Sequence, residues 1–152
     1  MKNIKKSIES ISSNYKEIMD KYVSHILLLS IRIFIALVFY RSGLTKIANM
    51  DSTILLFEYE YALPIISPVL AAYSATFSEL TFSALLMIGL FTRAAALPLI
   101  AMTLVIQFLV FQNHEHFYWL ALLSTIAVYG GGKISLGCLL CKICSKCKKG
   151  IK

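Results

Sequence analysis

His25-Ile26-Leu27-Leu28-Leu29-Ser30-Ile31-Arg32-Ile33-Phe34-Ile35-Ala36-Leu37-Val38-Phe39-Tyr40-Arg41-Ser42-Gly43-Leu44 is the stretch on which the fold turns: across this largely apolar run only Arg32 and Arg41 are charged. A helix of about 20 residues rises about 30 Å, the thickness of a bilayer's hydrocarbon core. Three further segments of the same character follow, at Ser67–Phe91, Ala94–Phe111 and Phe117–Ser135. The 152 residues are 58% hydrophobic and 15% charged, with a mean hydropathy of +0.73. Soluble domains carry about 25% charged residues, and so short a chain encloses too little interior to bury the difference. A soluble enzyme, a disordered chain, collagen and a coiled coil are thereby excluded. The expected fold is all-α: a polytopic membrane protein whose residues 25–136 form an antiparallel four-transmembrane-helix bundle. Residues 1–24 precede it as an N-terminal amphipathic helix, and 137–152 follow as a basic, cysteine-rich tail.

Working outward, Ile4, Ile8, Ile11, Tyr15, Ile18 and Tyr22 recur at helical spacing opposite a Lys/Glu/Ser face. That pattern fits a helix lying on the inner leaflet, or equally one that binds a partner. The connection Thr45–Ile66 holds Asp51, Glu58 and Glu60 beside Phe57, Tyr59 and Tyr61, the composition of a short interfacial helix. Thr92–Arg93 alone joins the second and third spans, and 112–116 the third and fourth, so sequential spans are neighbours. Both tails and Arg93 hold twelve basic residues, whereas the opposite loops hold Lys46 alone. The positive-inside rule therefore predicts that both termini are cytoplasmic, with Asp51–Tyr61 and His114–His116 outside. Tyr118 and Trp119 then fall at the outer interface, where aromatic belts are expected. The net charge of +7 follows this topology and comes without a nucleic-acid motif; the partner expected for the basic ends is the lipid bilayer.

Charges inside a membrane are expensive and mark candidate sites. Glu79 lies twelve residues from either end of the second span, near the midplane, and must be protonated or paired. On the first span Phe39, Gly43 and Lys46 fall within about 40° of Arg32 at 100° per residue. If that face turns inward, Arg32 is expected to reach Glu79 and Gly43 to allow close helix approach. Such a pair is either a packing staple or a ligand or proton site. Arg41 points the other way and is expected to snorkel to the headgroups.

Arg32-Ile33-Phe34-Ile35-Ala36-Leu37-Val38-Phe39 followed by Gly43 and Lys46, then Glu79, then Gly89-Leu90-Phe91-Thr92-Arg93, and finally Gly130-Gly131-Gly132-Lys133-Ile134-Ser135-Leu136 together resemble the DoxX family over about residues 28–136. In that family the closing glycine motif usually reads Gly-Pro-Gly and often continues to an aspartate; here Gly131 and Gly137 stand at those positions. The resemblance implies a four-helix protein of the bacterial inner membrane, related to DoxD-like subunits of thiosulfate:quinone oxidoreductases and working with a redox or sulfur-handling protein partner. It nominates Arg32, Gly43, Lys46, Glu79 and Arg93.

Three functions fit. In the first the chain is a membrane subunit or anchor of a quinone-linked or thiol/sulfur redox complex, with Arg32, Glu79 and Phe39 lining a quinone headgroup pocket; the sequence shows no flavin or haem motif, so the electrons come from a partner. In the second it is a scaffold or assembly factor without catalysis. In the third it is a small transporter using Glu79, although no inverted repeat is visible. At most the chain is a non-catalytic or quinone-binding subunit of an oxidoreductase.

Cys138, Cys141, Cys144 and Cys147 form one run of Cys-x-x-Cys steps after the fourth span. A reducing compartment disfavours structural disulfides there, leaving zinc, an iron–sulfur cluster, thiol redox exchange or an inert basic tail. The first three match ferredoxin spacing and the fourth comes one residue early; paired Cys-x-x-Cys steps suit tetrahedral zinc. As a helix, the run spreads its thiols over half the circumference. His114 and His116 flank Glu115 in a turn, a weak metal pattern for which a solvated loop is the simpler reading. Gly130-Gly131-Gly132-Lys133 lacks phosphate-loop spacing and reads as the end of the fourth helix.

Overall fold

A computed structural model describes residues 23–61, 66–110, 114–132 and 134–141. The stripe from Ile4 to Tyr22, and Cys144 and Cys147, lie outside the described residues. All regular structure among the described residues is helical. Helix α1 spans Ser24–Ala48, and its seven-residue steps place His25, Arg32, Phe39 and Lys46 close to one line, since a heptad drifts only about 20° on a straight helix. Asn49 leaves the helical region at φ −141°, and its side chain accepts from the Ser52 amide at 3.2 Å, starting α2 at Met50–Leu56. This short helix runs into a π-helical turn, Phe57–Tyr61, and packs through Phe57 on Ala71 and Ala72.

Helix α3, Pro68–Ile88, has Ser67 as N-cap and proline in its first turn. It ends at Gly89, φ 80°, where the Gly89 and Leu90 amides return to the Leu86 and Leu85 carbonyls in a Schellman closure that needs a left-handed residue. Helix α4, Thr92–Val105, starts at once behind Phe91, itself left-handed at φ 47°. It runs through Pro98 and continues as a π-helical turn, Ile106–Val110. Helix α5 covers His114–Tyr129.

The fourth apolar segment was expected to reach Ser135, but α5 stops six residues sooner. Gly130 turns left-handed at φ 75°, and a loop leads to a short helix, α6, over 136–141. Apolar composition continues through Ile134 and Leu136, so hydropathy alone runs past this break. The expected boundary between residues 136 and 137 falls inside α6.

Close contacts set the register of α1 on α3. A Cβ on Gly43 would stand 2.9 Å from Leu80 and 3.2 Å from the Glu79 Cβ, and one on Gly89 would stand 2.7 Å from the Arg32 guanidinium. Rising residue numbers on one helix meet falling numbers on the other, so the two are antiparallel. Ile35, Ala36, Phe39, Leu86, Ala95, Ala96, Leu99, Leu123 and Ile126 form one core shared by α1, α3, α4 and α5, with alanines where backbones approach.

The surface has the opposite character to that of a soluble domain. Phe34, Phe77, Leu97, Phe108 and Val128 are more than half exposed, while Arg32, Thr76, Glu79, Ser83, Thr103 and Gln107 are buried. Thr76, Thr103 and Thr125 each return their hydroxyl to a carbonyl four residues back, at 2.7–2.8 Å, which satisfies the group without water. Among the described residues, α1 and α3 are long and apolar enough to cross a membrane; Thr92–Phe108 is a shorter apolar helix.

Candidate functional site

Two charged groups on α1, the buried Arg32 and the partly buried Lys46, are held differently. Side chains on a helix lean toward its N-terminus. Arg32, 3% exposed, therefore points away from Glu79 and toward the loop after α5. Its Nη1 donates to the Gly131 carbonyl at 2.8 Å and its Nη2 to the Ile134 carbonyl at 3.1 Å. A Cβ on Gly131 would come within 2.9 Å of Nη1, so Gly89 and Gly131 together form the walls of a guanidinium slot. The glycine run does more than stop a helix. The expected Arg32–Glu79 contact does not form: the lean of the side chain carries the guanidinium out of reach. The Arg32 Nε and both His25 ring nitrogens are buried with no hydrogen-bond partner among the described residues.

The same lean brings Lys46 back one turn, onto Glu79. Lys46 Nζ donates to Glu79 Oε1 at 2.7 Å, to Oε2 at 2.8 Å and to the Ser42 hydroxyl at 2.7 Å, so all three ammonium protons are engaged. Glu79 is 2% exposed, and the Ser83 hydroxyl donates to its backbone carbonyl. Lys46 also lines two cavities. One, about 180 Å³, is mostly apolar and includes Phe57, Ser78, Met102, Val105 and Ile106 in its wall. The other, about 290 Å³, has mostly polar residues in its wall, Thr45, Asn49, Ser52 and Thr53 among them, although much of the surface they present is apolar. Lys46 and Tyr61 line both. Burial, then the Glu79 and Glu60 carboxylates, raise the Tyr61 hydroxyl above the ordinary phenol range.

The remaining candidates are scattered. Phe39 is in the core, edge-on to Trp119 at 5.8 Å, and lines neither cavity beside Lys46. Trp119, expected at the outer interface, is half-buried in this contact, while Tyr118 is exposed. Arg41 is exposed. Arg93 lies at the opposite end of α3 and α4, on a third cavity of about 740 Å³ that Cys138 and Cys141 also line. His116 Nδ1 is 3.0 Å from the buried Gln107 side chain, whereas His114 is exposed; the two imidazoles do not converge. Among the described residues no group of three or more His, Cys, Asp or Glu converges on a metal position.

Sequence reasoning reached Lys46 and Glu79 separately but missed their pairing, and it missed Ser42, Tyr61 and Gln107. The direction of the side-chain lean was the available signal for the pair. Tyr61 had none, because its place depends on how the 45–66 connection folds back over α3.

These features define a helical membrane protein with a largely buried ion pair whose lysine lines two cavities. The family model for DoxX matches residues 27–112, more than half of the chain and all of α1, α3 and α4 except the first turn of α1. The chain belongs to the DoxX family. No curated protein and no solved structure matches it.

Proposed function

We propose that the chain is a four-span subunit of a quinone-linked or thiol/sulfur redox complex of the bacterial inner membrane, with both termini cytoplasmic, and that the Lys46–Glu79 site receives a quinone-like headgroup. The observation that carries this reading is that Lys46 and Tyr61 line both a mostly apolar cavity and a second one with mostly polar residues in its wall. Exposed apolar side chains on α4 and α5, such as Leu97, Phe108 and Val128, support two further spans beyond α1 and α3. The predominance of basic residues in the tails and at Arg93 supports the orientation.

The apolar cavity offers an aromatic and aliphatic enclosure with Tyr61 and Lys46 at its polar edge, a donor set suited to carbonyl oxygens. A bound headgroup would supply two-electron, two-proton chemistry, with electrons delivered by a partner protein. Because the Lys46 protons already serve Ser42 and Glu79, a ligand oxygen that accepts from Lys46 must displace one of these acceptors.

Mass spectrometry of the protein purified in mild detergent tests the proposal. A quinone-class lipid should accompany the native chain and be lost from Lys46→Met and Glu79→Gln while their helical content is retained. A folded native preparation empty of quinone after reconstitution with the lipid would overturn the ligand reading in favour of the scaffold.

A further inference from the structure

The third cavity lies at the far end of the molecule from Lys46 and is independent of the function proposed for that site. Its walls combine the α3–α4 turn, with Arg93, the 130–132 glycine loop and helix α6, which contributes Cys138 and Cys141. Helix α6 is docked rather than trailing. Its Gly137 amide donates to the Gly89 carbonyl at 3.1 Å, and a Cβ on Gly137 would stand 3.2 Å from that same oxygen. The Ser135 hydroxyl accepts from the Cys138 amide at 3.2 Å, while Arg32 holds the Ile134 carbonyl just before it.

Residues three apart on a helix face the same way, with Cβ atoms about 5–6 Å apart, and a disulfide needs a Cβ separation of about 3.5–4.5 Å. A small adjustment of α6 therefore closes the pair. Cys141 is exposed and Cys138 half-buried, which distinguishes an attacking thiol from a resolving one. Arg93, exposed on the same cavity, supplies a cation for a substrate bearing carboxylates.

We propose that Cys138 and Cys141, held against the Gly89–Arg93 turn, form a dithiol that exchanges with a small, negatively charged disulfide bound in this cavity. The Cys141 thiolate attacks one sulfur of the substrate, giving a mixed disulfide and releasing the first substrate thiol. Cys138, losing its proton, then attacks the Cys141 sulfur and releases the second thiol. One substrate disulfide is reduced by two electrons and takes up two protons, and one Cys138–Cys141 disulfide forms, so the exchange balances.

The test uses the full chain, reduced and purified anaerobically in mild detergent, with oxidised glutathione as the probe and peptide mass spectrometry as the readout. The native protein should release two glutathione thiols per chain and acquire a Cys138–Cys141 bridge. Cys138→Ser should trap a mixed disulfide on Cys141, Cys141→Ser should suppress the fast reaction, and Cys144→Ser/Cys147→Ser should leave it unchanged. Arg93→Gln should slow the reaction with oxidised glutathione by roughly tenfold at low salt and leave that with neutral hydroxyethyl disulfide unaffected. Equal, slow modification of all four cysteines would overturn the proposal, as would dependence on Cys144 or Cys147, or stoichiometric zinc that protects the thiols.

Discussion

Arg32 and Lys46 sit two heptads apart on one face of α1, yet their surroundings differ in kind. The Arg32 guanidinium is walled in by Gly89 and Gly131 and bound to backbone carbonyls, partners that cannot ionise or be exchanged. Lys46 is bound to side chains, one of them a buried carboxylate, and lines two cavities. A buried charge held by backbone fixes the fold and leaves nothing for a ligand to displace. One held by a titratable side chain beside open volume can change partner, and there function is expected. In this chain the two roles thus fall to positions two heptads apart on a single helix face.

The comparison breaks first at Arg32. Arg32→Met removes two hydrogen bonds from a charged donor and leaves the buried Gly131 carbonyl and the partly buried Ile134 carbonyl without that partner, at a cost of about 3–5 kcal/mol. No second substitution in a side chain can restore it, because the partners are main-chain atoms. Thermal unfolding in detergent should show the largest loss of any single variant considered. A melting temperature unchanged by Arg32→Met would mean that the slot contributes little to holding α1 against the 130–135 loop.

Lys46 and Glu79 should behave in the opposite way. Lys46→Met leaves a buried carboxylate, which escapes part of the penalty by binding a proton, so about 2–3 kcal/mol should be lost. The double variant Lys46→Met/Glu79→Leu removes both charges and should recover to within about 1 kcal/mol of the native protein while losing the bound headgroup. Additive losses in this double-mutant cycle would contradict the pairing.

Gly43 offers a smaller, purely steric check. Gly43→Ala drives a methyl group against Leu80 and should cost about 1–2 kcal/mol; Leu80→Ala in the same chain should relieve part of it, since the obstructing atoms belong to that side chain.

The helices and the exposed apolar surface were legible in the sequence because hydropathy and length alone specify them. The expensive residues were legible too, since Arg32, Lys46 and Glu79 are each out of place in an apolar segment. Their partners were not. Counting residues puts Arg32 and Glu79 at similar depths, and only the lean of the side chains sends Arg32 to Gly131 and Lys46 to Glu79. The early end of α5 was hidden for a related reason: its loop is stabilised by a residue about a hundred positions away in the chain, which no local pattern records.

Tyr61 gives the smallest effect on stability and the sharpest reading of the site. Tyr61→Phe keeps the edge contact with Phe57, whose ring centroid lies 4.6 Å away, and should cost about 1 kcal/mol or less. The difference in tyrosinate absorbance between native protein and Tyr61→Phe isolates the titration of this one hydroxyl, and it should fall above the ordinary phenol range. Burial and two carboxylates disfavour the phenolate, so Tyr61 keeps its proton as a donor at neutral pH and loses it only in more alkaline solution than a free tyrosine would. Because the folded state holds this proton more tightly than the unfolded one, stability should begin to fall as the pH rises past the unfolded phenol value. Glu60→Gln and Glu79→Gln should each move the titration downward. The Glu79 variant is the informative one, because a carboxylate raises Tyr61 through its charge only while it is ionised. A downward shift would show that Glu79 is a charged partner of Lys46, and no shift would show a carboxyl that already carries its proton.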